Sequence, residues 1–294
     1  MRHILTLIAH RECATLTASV IATVRDAASG GTPDILAPGE AVDIALSAMP
    51  DMAVVRAALG GAAIDAIATP AEGRRKRLLV ADMDSTIVTG ETLDELADFA
   101  GLKHRIAAIT ARAMNGELDF KAALRERVAM LKGLPIDALE RTWQRVRLTP
   151  GARELVATMR AHGAYTALVS GGFSYFTSRV AALCGFDRHR SNTLLDDGAT
   201  LTGQVAEPIL DRDTKLATLT GLAAECGLTL AATLAVGDGA NDLDMLRAAG
   251  LGVAFHAKPI VAAEARARVD HANLRALLFA QGYRRDAIQG IGAS

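Results

Sequence analysis

Two aspartates separated by one residue, Asp82 and Asp84 in Asp82-Met83-Asp84-Ser85-Thr86, are the strongest chemical signal in the chain. In extended backbone, residues two apart point the same way, so both carboxylates would enter one cleft. Like charges held about 4 Å apart repel by roughly 1–4 kcal/mol, depending on the local dielectric. A fold tolerates that where a cation lies between the groups, or where one of them keeps its proton. Phosphoryl transfer uses both conditions. One carboxylate attacks phosphorus and the other supplies a proton to the departing oxygen. Taken by itself, the pentapeptide also reads as a polar turn closing a strand.

Three further clusters bear on the same chemistry. Gly237-Asp238-Gly239-Ala240-Asn241-Asp242 adds hard oxygen ligands of the kind Mg²⁺ takes. An EF-hand loop would need a ligand where Ala240 stands and a glycine where Leu243 stands. A dinucleotide fingerprint starting at Gly237 would need glycine at Asp242, and no Gly-Lys-Ser/Thr phosphate loop occurs. Ser170-Gly171-Gly172 offers a hydroxyl and two uncrowded backbone N–H groups to phosphate oxygens. It is not a serine-hydrolase elbow, because Leu168 stands where that motif needs glycine, though a plain strand-to-helix turn would look the same. Lys215 opens a helical stretch and can neutralise a carboxylate and a transferring phosphoryl group. Viewed singly, it would pass for a surface lysine.

Strand ends must carry these clusters. Leu78–Ala81 is wholly apolar, as a strand buried on both faces of a parallel sheet is; Tyr165–Val169 and Thr233–Val236 repeat the pattern, and Gly252–Phe255 adds another. The polar clusters follow the first three of these runs, where open parallel sheets bind ligands. Residues 87–149 read as helical throughout, a helical insertion. Ahead of the first strand, residues 1–72 read as a separate βαββαβ unit of ferredoxin-like type. Its strands are expected at Ile4–Ala9, Ile35–Ala37, Ala41–Leu46 and Ala63–Ala68, and its helices at Leu16–Ala27 and Met52–Leu59. The basic run Arg74-Arg75-Lys76-Arg77 reads as a solvated linker, and Gln289–Ser294 as a loose end.

The expected fold is thus α/β: a doubly wound, mostly parallel sheet with a helical cap, preceded by the βαββαβ unit. At 294 residues, half of them apolar and 4% aromatic, the chain suits a helix-rich α/β enzyme. Lys and Arg total 32 against 33 Asp and Glu, so no strong basic field gathers nucleic acid or anionic lipid. Cys13, Cys184 and Cys226 are far apart and odd in number, which suggests free thiols and no zinc site. The apolar run Ile4–Ala9 is too short for a membrane span or a signal sequence, so a cytoplasmic enzyme is expected.

Taken together and in order, the four clusters resemble the haloacid dehalogenase superfamily of phosphatases. Within it, Glu91, Met114, Phe120 and Arg127, in their local contexts, resemble the phosphoserine phosphatase family, as does Ala254-Phe255-His256-Ala257-Lys258-Pro259. That resemblance covers about residues 77 to 280. It implies hydrolysis of O-phospho-L-serine to serine and phosphate, the last step of serine biosynthesis, through an aspartyl-phosphate on Asp82. Asp84 is then the acid and base. Asp82, the backbone carbonyl of Asp84 and Asp238 hold Mg²⁺, supported by Asn241 and Asp242. Ser170, Gly171, Gly172 and Lys215 hold the phosphate. In the cap, placed at about 87–149, Glu91 would meet the substrate ammonium and Arg127 its carboxylate, while Phe120 and Met114 wall the pocket.

Residues 1–72 resemble the small amino-acid-binding modules called ACT domains, with 73–294 as the phosphatase domain. The Pro-Gly turn such modules carry is absent where Ala9-His10-Arg11-Glu12-Cys13 stands. That argues against amino-acid binding there and leaves homodimer packing open as the unit's role. Two rival readings remain: a phosphatase or phosphotransferase for another small phosphorylated metabolite, and an amino-acid-sensing protein with an inactive phosphatase domain.

Overall fold

A computed structural model describes residues 2–10, 12 and 15–290. Arg11, Cys13 and residues 291–294, on which expectations were placed above, lie outside the described residues. The first unit runs β1 (His3–Ala9), α1 (Ala18–Ala27), β2 (Pro33–Ala37), β3 (Ala41–Leu46), α2 (Met52–Leu59) and β4 (Ile64–Pro70). Its antiparallel sheet has the order β2-β3-β1-β4. Strand alternation puts Leu5, Leu7, Val42 and Ile44 on one face, beneath Val24 of α1 and Val55 of α2. Both helices begin on side-chain caps: Thr17 accepts from Val20 N and Asp51 from Ala53 N. The opposite face carries Thr6, Asp43 and Asp65, all buried.

The second unit begins with β5 (Leu78–Ala81), followed by α3 (Thr92–Asp98), α4 (Lys103–Met114), α5 (Phe120–Ala129), α6 (Asp137–Trp143) and α7 (Ala152–Ala161). Then come β6 (Tyr165–Phe173), α8 (Ser174–Cys184), β7 (Arg188–Asn192), β8 (Leu194–Asp196), β9 (Leu201–Val205) and α9 (Arg212–Glu225). It continues as β10 (Thr233–Gly237), α10 (Leu243–Ala248), β11 (Leu251–Phe255), α11 (Pro259–Glu264), β12 (Ala267–Val269) and α12 (Ala276–Ala280). Six strands form one parallel sheet in the order β12-β11-β10-β5-β6-β7. From β5 the chain moves to β6 and β7 on one side, then crosses to β10, β11 and β12 on the other. Winding reverses between β5 and β10, so a crevice opens at their carboxyl ends. The three apolar runs that end in polar clusters are β5, β6 and β10.

Helices α3 to α6 form the expected insertion. Its entry and exit lie side by side: Thr89 N donates to Arg147 O and Thr149 N to Ile87 O. The antiparallel hairpin β8–β9 props its far end through Gly133 N to Leu201 O and Leu201 N to Leu134 O.

Two sequence expectations are corrected. The basic run is not a solvated linker throughout. Arg74 ion-pairs with buried Asp43 and donates to Thr6 Oγ1, Phe279 O and Ala280 O, while buried Lys76 donates to Gly73 O and Ala231 O. Only Arg75 and Arg77 are exposed. Gln289 is not loose either, since its N–H donates to Thr158 Oγ1 beside buried Ile288. Among the described residues, no helix is long and apolar enough to cross a membrane.

Candidate active site

β5 is buried along its whole length, and its last hydrogen bond to β10 runs from Asp82 N to Val236 O. Beyond it the backbone turns over Met83–Ile87, with Asp84 extended and Ser85 left-handed at φ 55°. Ser85 Oγ donates to Glu91 Oε1 at 2.7 Å, so the strained residue and the cap's first acid secure each other. Asp84 is held differently. Thr92 N donates to its Oδ1 at 2.7 Å and Ser170 Oγ to its Oδ2 at 3.2 Å.

Lys215 reaches this strand end from the first turn of α9, which starts on a reciprocal cap between Asp211 and Thr214. Its Nζ lies 2.7 Å from Asp82 Oδ1 and 2.6 Å from Asp242 Oδ1, with all three side chains buried. Burial alone would depress this ammonium, but Asp242 and Asp82 together hold its pKa above the ordinary lysine value. For Asp82, burial outweighs the lysine, and with Asp242 and Asp84 nearby its carboxyl is pushed well up. Burial, followed by the charge of Glu91, raises Asp84 to about 7. The two aspartates of the pentapeptide therefore sit in different environments.

Carboxylate oxygens of Asp82, Asp238 and Asp242 all lie within 4.8 Å of one another. Asp242 is already engaged, by Lys215 and by Gly239 N at 3.1 Å. Asp238 is not: its Oδ2 is buried without a hydrogen-bond partner, and Lys258 Nζ comes no nearer than 3.9 Å. Burial and the charges of Asp82 and Glu91 push Asp238 well above the carboxylate range. A buried, unpartnered oxygen in a cluster of like charges is what a hard divalent cation relieves, and the all-oxygen donor set suits one. Asn241 Oδ1, also buried and unpartnered, adds a further acceptor beside it.

Ser170-Gly171-Gly172 closes the opposite wall, where Gly172 N donates to Ser170 Oγ at 2.8 Å. A Cβ on Gly171 would meet Phe120 Cζ at 2.6 Å, and one on Gly172 would meet Asp84 Oδ2 at 2.6 Å. At Gly171 it is the cap that comes so close, and at Gly172 the Asp84 carboxylate. One cavity, with about 430 Å³ of empty space including its mouth, is lined by Asp82, Asp84, Asp238, Asn241 and Ser170–Gly172, and from the cap by Glu91, Met114, Phe120 and Arg127. Two residues expected at the site, Lys215 and Asp242, do not line this cavity: Lys215 touches it through Asp82, and Asp242 stands behind, paired with Lys215.

Sequence reading missed several neighbours. Asn192, at the end of β7, donates to Gly171 O and accepts from Leu210 N, tying the glycine turn to the segment before α9. Asp94 and Thr110 stand behind Arg127. None of the three lies in a motif, and their signal is burial alone.

A pair of carboxylates at a strand end, a lysine across from them and a helical insertion over the crevice define a class of hydrolase. Residues 79–247 match the family model of haloacid dehalogenase-like hydrolases, and the chain belongs to that family. It is 39% identical over 299 residues to a phosphoserine phosphatase of Streptomyces coelicolor, covering 98% of this chain and 72% of that protein. With a phosphoserine phosphatase of Streptococcus thermophilus it shares 47% identity over 199 residues, 68% of this chain and 93% of the relative. Among solved structures, a phospho-aspartyl intermediate analogue of phosphoserine phosphatase superposes with a TM-score of 0.67 at 40% identity, covering 70% of this chain and 98% of that one.

Proposed function

We propose that the chain is a Mg²⁺-dependent phosphatase for O-phospho-L-serine. One observation carries this reading: a single small cavity is lined by Asp82, Asp84 and Asp238 on one side and by Glu91 and Arg127 on the other. The first set suits a phosphate ester. The second offers one carboxylate and one guanidinium, the complements of an ammonium and a carboxylate. The similarity to proteins named phosphoserine phosphatase supports it.

In this mechanism Asp82 attacks phosphorus, its Oδ–P bond forming as the bond to the serine oxygen breaks. Asp84, protonated where its pKa stands near 7, passes its proton to the serine alkoxide. Water then attacks the aspartyl-phosphate. Asp84 takes a proton from that water, and phosphate leaves with Asp82 regenerated. Lys215 orients Asp82 and opposes the burial that favours its neutral form, while Ser170 Oγ and the N–H groups of the glycine turn receive phosphate oxygens. Asp82, Asp238 and the backbone carbonyl of Asp84 would hold Mg²⁺, supported by Asn241 and Asp242. When bound, the ion supplies charge neutralisation for the phosphoryl oxygens. The same reading takes residues 1–72 as an ACT-like unit, with homodimer packing as its open role, and 73–294 as the hydrolase domain of a cytoplasmic enzyme that releases serine.

Phosphate release from L-phosphoserine, measured with Mg²⁺, after chelation and with Ca²⁺, tests the proposal. Activity should vanish on chelation, return with Mg²⁺ and stay low with Ca²⁺, whose longer bonds and larger coordination number misplace the nucleophile. Phosphoethanolamine, which lacks the carboxylate, and phosphoglycolate, which lacks the ammonium, should be poor substrates. Equal turnover of all three would remove the amino-acid assignment.

A further inference from the structure

Arg127 is 3% exposed, an unusual place for a guanidinium. Behind it lies a chain of two buried groups, one from each of the other cap helices that face it. Arg127 Nη1, on α5, donates to Thr110 Oγ1 of α4 at 2.9 Å. Thr110 Oγ1 donates in turn to Asp94 Oδ1 of α3 at 2.7 Å. The carbonyl of Ile106, at 3.1 Å, competes for the same hydroxyl proton, and the shorter bond to a charged acceptor wins. Arg127 Nε is fixed to Ala123 O at 3.1 Å.

We infer that Asp94 and Thr110 are positioning residues that aim the Arg127 guanidinium at the substrate carboxylate and so set selectivity for an amino-acid phosphate. This rests on the substrate reading above. The physical reason lies in how many donors remain. A guanidinium carries five N–H donors. Had Asp94 paired with Arg127 directly, a two-point bond would have consumed one whole edge of the fork. An interposed hydroxyl takes a single N–H and still passes the buried positive charge back to a carboxylate. Nη2 has no acceptor among the described residues, and Arg127 lines the cavity. The fork is therefore held at its back and open at its front.

The experiment compares Thr110→Val, Thr110→Ser and Arg127→Lys with the wild type, measuring kcat and KM separately for L-phosphoserine and phosphoethanolamine. Valine keeps the shape and removes the hydroxyl, whereas serine keeps the hydroxyl. A lost charged hydrogen bond corresponds to about a tenfold change or more. Thr110→Val should raise the phosphoserine KM by roughly that factor with kcat within about twofold, and leave phosphoethanolamine turnover within about twofold. Thr110→Ser should behave as wild type. If Thr110→Val lowers turnover of both substrates alike, or Thr110→Ser behaves as valine does, the relay merely staples three helices and the inference is overturned. Asp94→Asn, which keeps an acceptor and removes the charge, guards against misfolding of the valine variant, and its phosphoserine KM should also rise. Arg127→Lys separates the two levels of the claim. If it spares phosphoserine, the substrate reading falls and the relay with it; if it penalises phosphoserine while Thr110→Val and Asp94→Asn do not, only the relay falls.

Discussion

Asp82 and Asp84 are two residues apart and chemically identical, so only their surroundings can give them different work. Asp82 is paired with a buried lysine, and Asp84 is enclosed, close to Glu91 and bonded by Thr92 N. Replacing each by asparagine should therefore fail in different ways. Asp82→Asn offers phosphorus an amide in place of a carboxylate, and turnover should drop by at least about a thousandfold for every ester. Asp84→Asn should cost roughly 10²–10⁴-fold with phosphoserine, whose alkoxide needs a proton. The loss should shrink greatly with a nitrophenyl ester, whose leaving group does not. Steady-state rates on the two esters, with circular dichroism as a check on the fold, measure both. Equal losses on both esters for Asp84→Asn would remove its role as the acid.

Elements deliver these residues to the crevice, and one close approach between them is where cap meets cradle. Gly171 lies at the end of β6 and Phe120 at the start of α5; a methyl group on the glycine would sit 2.6 Å from the ring. Gly171→Ala should push α5 outward and reduce kcat/KM by about tenfold or more, since shifts near 1 Å carry penalties of that order. Phe120→Leu in the same chain should restore part of the loss, and a double-mutant cycle would show the coupling. Additive losses would mean that the two sites do not meet in the working enzyme. The strands that carry the site were legible because parallel strands buried on both faces are written as apolar runs, as Leu78–Ala81 and Thr233–Gly237 are. The edge strands were not. Arg188-His189-Arg190-Ser191-Asn192 is polar and mostly exposed, and β12 is only three residues long. Asn192, Asp94 and Thr110 escaped notice for a related reason: a polar residue becomes meaningful through what it touches, and spacing along the chain does not record that.

Across the whole molecule the two units are joined by buried polar groups. Asp65 of β4 accepts from the N–H groups of Asp270, His271 and Ala272 just beyond β12, and burial pushes its carboxyl up against the pull of those donors. Glu40 pairs with Arg275, and Asp43 with Arg74, which also holds two carbonyls of α12 and its end. Asp65→Ala would leave three N–H groups without their acceptor, at about 1–3 kcal/mol for each one that water cannot reach. The midpoint of thermal unfolding should fall by several degrees, roughly 2–4 °C per kcal/mol lost. The βαββαβ unit should then melt ahead of the rest in calorimetry. An unchanged single transition would show that the seam contributes nothing to stability. The seam also orders events in time. The residues that satisfy Asp65 lie about 205 positions further along the chain, and α12 follows them. During synthesis the first unit must therefore wait with one sheet face and a buried-charge pair open to water, until nearly the whole hydrolase has emerged to cover it.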